Sequence, residues 1–429
     1  MKEIIYSMEK IYILNGENIL MINLKYLKGG YIMNGLGIVA EYNPFHIGHM
    51  YHINQSINKL NPDFTVAILS GNWVQRGEPA IIDKWKRTRA ALNHGIDLVI
   101  ELPYIWATQS AAEFAFGSVS LLNALNCVSY QTFGSESNDI SSLYKAAYKA
   151  TYETEEFKST LQYHLDKGKT YSEAYTIALD LETSNPNDIL GLEYLKNHIK
   201  LNTNIESSTI QRIGSSYTNT DFSGKFSSAS AIRKIIKEDN SIETLSETVP
   251  DKSYQLLLDA YKNNDTVFLE HLGDFILYKL RVTDSKKLCK IVEWEPGMEN
   301  LFKSAALESN YFENFITKCK TKRYTRARIN RFLIHSLVDL NKESVKNFNY
   351  FGPPYIRILG MNSNGRKALK TISKQSSSPI ITRPRNDLRK LDEYARTCFE
   401  WEVKTTALYN LIRDKTGKEE FSTPPIVLK

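Results

Sequence analysis

Apolar residues in the first half of the chain come in short runs, each followed by a stretch where they return every three or four positions. Leu36–Ala40, Phe64–Leu69, Ile96–Glu101 and Val128–Phe133 are runs of strand length. Gly48–Leu60, Trp85–Asn93, Ala111–Leu125 and Ile140–Tyr152 carry the helical period. Ser208–Ile213 adds another strand, and Ser230 stands where it would open a helix over Ala231–Lys237. Short apolar strands alternating with helices predict a doubly wound α/β fold on a parallel sheet.

The pattern changes elsewhere. A mainly helical insertion is expected between Glu155 and Asn204, with Asn185–Pro186–Asn187–Asp188 reading as a helix start. The polar stretch Asn240–Ser253, with Pro250, reads as a domain boundary. Helices follow at Tyr254–Lys262, Phe268–Arg281, Lys286–Val292 and Glu299–Ser309. Strands are expected at Tyr355–Leu359 and Pro379–Thr382, and a long helix at Asp387–Arg413. This predicts an α/β domain over 33–245 and a mainly helical region over 246–429.

Residues 1–32 show no clear period, cap or targeting signature, so they are expected to lie outside the working protein, with Met33 as the natural start. Lys28–Gly29–Gly30 can be encoded with a GGAGG ribosome-binding sequence at a workable distance from Met33. The alternative is an extra strand packing by Ile19, Leu20 and Ile22.

The predicted strands end in similar loops: Tyr42–His49, Ser70–Gly77, Leu102–Pro103, Gly134–Glu136 and Gly214–Tyr217. In open α/β sheets ligands bind beyond the carboxyl ends of the strands, where these loops would gather. The first holds H-x-G-H at a strand-to-helix corner, where free backbone N–H groups and the helix dipole favour an anion. Gly48 lets a phosphate approach the backbone, and His46 and His49 share one face of the first turn. Two imidazoles there suit stabilisation of a phosphoryl group. The plain alternative is two histidines capping a core turn. A metal bound by His46, His49 and His52 is disfavoured, because that spacing wraps around the helix and no cysteine joins it.

Length and charge add a partner. A chain of 429 residues has room for two or three domains, and its net charge of +6 is mildly basic. Lys318, Lys320, Lys322, Arg323, Arg326, Arg328 and Arg331 form a run that no acid interrupts between Glu313 and Asp339. Ile329, Phe332, Leu333 and Leu337 give that run an apolar stripe, so its arginines are expected to face solvent and contact nucleic acid. Tyr324 either stacks on a base or packs. The four cysteines are dispersed with no C-x-x-C, which fits a reducing cytoplasm, and no apolar run approaches a membrane span.

These residues resemble the tRNA(Met) cytidine acetate ligases, relatives of the nucleotidylyltransferases that share H-x-G-H. The resemblance runs from about Met33 almost to the C-terminus. It rests on G-I-V-A-E-Y-N-P-F-H-I-G-H, S-G-N-W-V-Q-R-G-E-P-A, D-K-W-K-R, F-G-S-E-S, P-N-D-I-L-G, Q-R-I-G-S-S-Y, S-A-S-A-I-R and K-T-K-R-Y-T-R-A-R. It implies a nucleotidylyltransferase-like Rossmann variant. It also implies a ligase that uses ATP and acetate to acetylate N4 of the wobble cytidine of elongator tRNA(Met).

ATP would lie along Val39, Ala40, Glu41, Tyr42, Asn43, Pro44, Phe45, His46, Ile47, Gly48, His49, Met50, Tyr51 and His52, with Gly134, Asn187 and Arg212 completing the site. His46 and His49 would be catalytic. Lys320, Lys322, Arg323, Arg326, Arg328 and Arg331 would contact tRNA. Ser228–Ala229–Ser230 with Arg233 is similar to the S-S-T-x-x-R phosphate motif of the wider superfamily and departs from it at Ala229. Asp188 stands where the family has Asn. Mg²⁺ on the ATP phosphates is expected, though no carboxylate cluster marks a protein site, and no protein partner is implied.

The sequence also admits two other readings. One is a nucleotidylyltransferase that moves AMP onto a small cofactor precursor, which leaves the basic helix unexplained. The other is a non-catalytic tRNA-binding protein, which intact His46, His49 and Arg212 disfavour.

Overall fold

The structure, a computed structural model, describes residues 3–7, 10–15, 18–23, 33–181, 185–213, 227–238, 242–321 and 323–429, the first three segments as backbone only and Ser172 without its side chain. Strands β1 (Glu3–Ser7), β2 (Lys10–Asn15) and β3 (Asn18–Asn23) form an antiparallel meander of their own. The main sheet contains β4 (Gly35–Ala40), β5 (Phe64–Ser70), β6 (Leu98–Leu102), β7 (Val128–Ser135), β8 (Glu206–Gln211), β9 (Ile356–Met361), β10 (Ile380–Ile381) and β11 (Ile426–Val427).

Its order is β10-β9-β6-β5-β4-β7-β8, with β11 also paired to β9. From β6 to β8 every pairing is parallel. The chain winds from β4 out to β6, then crosses back to β7 and β8. The strand order therefore reverses between β4 and β7, the place where doubly wound sheets open a crevice.

Burial on alternating faces of β5 explains why its sequence is almost wholly apolar, with only Thr65 and Ser70 polar. Phe64, Val66 and Ile68 enter one core, while Ala67 and Leu69 enter the other. The first core includes Phe114, Val119 and Leu122 of the Ala111–Ala124 helix. The second includes Ile53 of the Ile47–Leu60 helix and Trp85, Ala90 and Ala91 of the Lys84–Asn93 helix. Burial on both faces selects a continuous apolar run rather than alternation.

The expected division at 245/246 does not divide this sheet. Strands β9 to β11 come from the C-terminal part, and β9 pairs antiparallel with β6. Ile232 and Ile236 share a core with Ile242, Leu245 and Leu257, so the sequence on both sides of residue 245 packs together. Asn240, where the polar stretch begins, lies outside the described residues, as does the Gly214–Tyr217 loop.

Two helix starts differ from expectation. Ser228, not Ser230, caps the Ala229–Lys237 helix, accepting from the Ala231 N–H at 3.1 Å. The long C-terminal helix runs Glu393–Ile412, started by Asp392, whose carboxylate accepts from the Ala395 N–H at 2.8 Å.

A buried ionic cluster ties that helix to the sheet. Lys84 Nζ meets Glu101 at 2.6 Å and Glu420 at 2.5 Å, and Arg357 pairs with the same two carboxylates. Glu402, beside them, accepts from the Tyr104 N–H, and burial followed by repulsion from Glu101 raises its pKa well above the usual range. A protonated Glu402 leaves two carboxylates facing two cations, which is how buried charge stays tolerable. Among the described residues no helix is long and apolar enough to cross a membrane.

Candidate active site

The corner after β4 is built from the backbone outward. Tyr42 takes a left-handed conformation at φ 47°, rare for a bulky residue, and is held by burial in the second core. Buried Arg87 donates to the carbonyls of Glu41, at 2.7 Å, and of Ser70 and Gly71, stitching the ends of β4 and β5. Asn43 Oδ1 accepts from the Ile81 N–H at 2.8 Å, and its carbonyl accepts from Arg233 at 2.8 Å. These contacts fix where the Ile47–Leu60 helix begins.

His46 is the N-cap of that helix. Its Nδ1 accepts from the Gly48 N–H at 3.0 Å, and His49 Nδ1 accepts from the His46 N–H at 3.2 Å. A ring nitrogen that accepts carries no proton, so each neutral imidazole bears its proton on Nε2. The two rings stack at 3.8 Å between centroids with 27° between planes. Burial, then the charge of Arg212, lowers the His46 pKa to about 3; burial, then His46, holds His49 well below its ordinary value. Both rings are therefore neutral Nε2–H donors at physiological pH. A Cβ on Gly48 would fall 2.8 Å from His46 Cε1, so only glycine leaves the ring its place.

One turn on, burial lowers His52 to about 4, and its Nε2 is buried without a hydrogen-bond partner. Capping and donor roles coexist: Nδ1 of both rings serves the backbone while Nε2 remains for a ligand. That division leaves the pair poorly suited to a metal, and no group of three or more metal-ligating side chains occurs among the described residues.

The opposite wall comes from β7, β8 and the Pro186–Lys200 helix. Arg212 lies over Gly134, where a Cβ would meet Arg212 Cγ at 3.3 Å, and its Nε is 3.5 Å from Glu136. Asn187 Nδ2 donates to Glu136 Oε1 at 2.5 Å. Asp188 accepts from the Ser135 hydroxyl at 2.5 Å and the Ser137 N–H at 3.1 Å, so a carboxylate has its own donors at this position. The N-terminus of the Ala229–Lys237 helix closes a third side, bringing a second positive helix end to the same space.

Together these elements enclose a cavity of about 260 Å³ at the β4/β7 reversal. Val39, Ala40, Glu41, Tyr42, Asn43, His46, Gly48, His49, Tyr51, His52, Gly134, Asn187 and Arg212 all line it. Pro44, Phe45, Ile47 and Met50 do not; Phe45 is buried in the second core and stacks on His94. The Ser70–Gly77 loop, expected at this edge of the sheet, supplies a fourth wall through Val74, Gln75 and Arg76 together with Glu78, none of which was named among the expected ATP contacts. Sequence reading also gave no lining role to Phe114, Phe133 and Tyr194, whose apolar character reads only as core.

The basic segment differs in detail. Tyr324 is buried and packs edge-on against Phe302. Arg323 and Arg328 pair with Glu295, Arg328 and Arg331 with Glu293, and Arg326 with Glu313. The neutralising acids lie upstream of the run, where counting along it overlooks them. Arg323 and Arg326 keep 58% and 37% of their side chains exposed, Lys320 is exposed, and Arg331 is only 11% exposed, against the expectation that it faces solvent. Lys322 lies outside the described residues.

Comparison with known proteins gives a consistent neighbourhood. The HIGH Nucleotidyl Transferase family profile matches residues 33–423. The tRNA(Met) cytidine acetate ligase of Fervidobacterium nodosum is 41% identical over 86% of this chain and 90% of its own length. That of Clostridium novyi is 40% identical over 92% of this chain and 100% of its own. The crystal structure of Thermotoga maritima TmcAL in its apo form superposes with a TM-score of 0.88 at 37% identity, covering 92% of this chain and 100% of that one. The same protein bound with alpha-thio ATP superposes at 0.85, with the same identity and coverage.

Proposed function

The chain belongs to the HIGH nucleotidyl transferases and, within them, to the tRNA(Met) cytidine acetate ligase family, and on that premise we propose that it activates acetate with ATP and acetylates the wobble cytidine of elongator tRNA(Met) at N4. One observation carries the chemistry: two stacked, neutral imidazoles present Nε2–H donors to a cavity that Arg212 and two helix N-termini also face.

An acetate oxygen attacks the α-phosphorus of ATP, and the bond to pyrophosphate breaks. Charge builds on the α-phosphoryl oxygens, and His46 and His49 donate to it; fixed donors need no reorganisation as the charge develops. Being neutral, they donate without surrendering a proton. Arg212 suits a neighbouring phosphate, since a guanidinium makes charge-assisted paired bonds. In the second step the cytidine amine attacks the acetyl carbon, the acyl–phosphate bond breaks, AMP leaves and the nitrogen loses a proton. No covalent enzyme intermediate is required.

Mg²⁺ enters this reading with the nucleotide. The carboxylates lining the cavity are engaged, Glu41 by the Gln75 N–H at 2.8 Å and Glu78 by Arg233 at 3.3 Å. The tRNA-facing surface is read as Lys320, Lys322, Arg323, Arg326 and Arg328. Its support is position: the helix that begins at Arg326 abuts the Gln75–Glu78 wall of the cavity. The compartment is read as the cytoplasm, where tRNA is found. Acetate-dependent exchange of labelled pyrophosphate into ATP tests the first step; a requirement for a phosphorylated cofactor precursor in place of acetate would favour the nucleotidylyltransferase reading.

A further inference from the structure

We propose that Arg331 is a positioning residue for the ATP chemistry rather than an RNA contact, holding the Val74–Glu78 wall of the cavity against the C-terminal helical region; this rests on the function proposed above. The wall is a tight loop. Val74 N–H donates to the Glu78 carbonyl at 3.0 Å, and Gly77 N–H to the Val74 carbonyl at 2.9 Å. Gly77 sits at φ 70°, and a Cβ there would fall 2.3 Å from the Arg331 backbone nitrogen. The loop tip therefore rests directly on the Arg326–Leu337 helix, and no other residue type fits that contact.

Side chains lock the same contact. Arg331 Nε pairs with Glu293 at 2.7 Å, which anchors the guanidinium in the helical region, and its Nη1 reaches the Gln75 carbonyl at 3.4 Å. The N–H of Gln75 donates at 2.8 Å to the Glu41 carboxylate, which lines the cavity at the end of β4. One residue along, Asn330 Nδ2 reaches Glu78 at 3.5 Å. Glu78 in turn pairs with Arg233, the residue that holds the Asn43 carbonyl. Two routes thus run from the helix through the loop to the backbone that places His46. A side chain with 11% exposure and an acidic partner at 2.7 Å is poorly placed to neutralise a phosphate.

The experiment uses the full chain, measuring acetate-dependent pyrophosphate exchange, ATP affinity by calorimetry and melting without RNA, and tRNA binding in a separate salt titration. Arg331→Ala and Gly77→Ala should lower exchange by about 10- to 100-fold, the scale expected when reacting groups are misplaced by about 1 Å. Arg331→Lys should restore part of the loss, since it keeps the charge opposite Glu293. Lys374→Ala, on a distant exposed face, serves as control and should exchange like the parent. The salt dependence of tRNA binding should be the same for Arg331→Ala as for the parent. Exchange at the parental rate with a shallower salt slope would make Arg331 an RNA contact and overturn the proposal. If Arg331→Ala melts early, Gly77→Ala decides: a well-folded variant with unimpaired kcat and KM for ATP would equally overturn it. Absence of exchange in the parent itself would count against the proposed function, and the calorimetric ATP affinities of the variants would then still test the wall.

Discussion

Replacing His46 by Asn separates the two tasks that the structure assigns to one ring. The cap task belongs to Nδ1, which accepts from the Gly48 N–H at 3.0 Å. Asparagine is among the best N-cap residues and its oxygen takes over that bond, whereas alanine leaves it unmade at a cost of typically about 0.5–2 kcal/mol. The chemical task belongs to Nε2–H, on the far side of the ring, which asparagine does not reach. Losing one donor to developing charge typically lowers the rate by about 10²–10³, or roughly 2.7–4 kcal/mol of transition-state stabilisation. His46→Asn should therefore melt close to the parent and lose about 10²–10³ in acetate-dependent pyrophosphate exchange, while His46→Ala loses both. The assay pairs exchange kinetics with thermal melting. A well-folded His46→Asn protein exchanging at the parental rate would refute the reasoning, because the histidine would then be a cap and nothing more.

Three further outcomes follow from the same geometry. The folded-state values of His46, about 3, and His52, about 4, lie below the unfolded value of about 6.5, so the unfolded chain takes up protons first. Stability should fall as pH drops from about 6.5 toward those values, and nitrogen NMR at pH 6 should show His46 and His49 neutral with the proton on Nε2; protonated rings at that pH would contradict this. Lys84→Met leaves Glu101 and Glu420 buried with one cation fewer, and breaking such a pair typically costs about 3–5 kcal/mol; denaturant unfolding checks this, and a loss below about 1 kcal/mol would mean the cluster contributes little. Neutralising Lys320, Arg323 and Arg326 should weaken tRNA binding and flatten its salt dependence by up to about one unit per lost phosphate contact, with exchange unchanged; an unaltered slope would remove this surface from the RNA interface.

The strands were readable because burial on both faces leaves little room for polar residues: β5 has every residue buried, and its sequence is a near-continuous apolar run. The corner was readable because H-x-G-H combines a cap, a close backbone approach and two ring donors within one turn. What escaped were relations between distant residues. Tyr355–Leu359 reads as a strand, yet nothing in it names β6 as its antiparallel neighbour. Lys84, Arg87 and Glu420 look like surface charge until their partners are known, and Lys84 and Glu420 meet across 336 positions of the chain. Arg331 belongs to a basic run by sequence and to the cavity wall by contact, since Glu293 and Gln75 that hold it are remote in the chain. Ser228 and Ser230 are the same residue type two positions apart, and only the bond from the Ala231 N–H identifies Ser228 as the cap.

In the proposed reaction ATP drives acetate onto one cytidine. The direct measurement incubates the protein with ATP, isotope-labelled acetate and elongator tRNA(Met), then identifies the labelled nucleoside and its position by mass spectrometry. Label should appear in N4-acetylcytidine at the wobble position, with one AMP and one pyrophosphate for each acetyl group and no label when ATP is omitted. ATP consumed with no label in the RNA, or label carried by any other nucleoside, would contradict the proposed reaction.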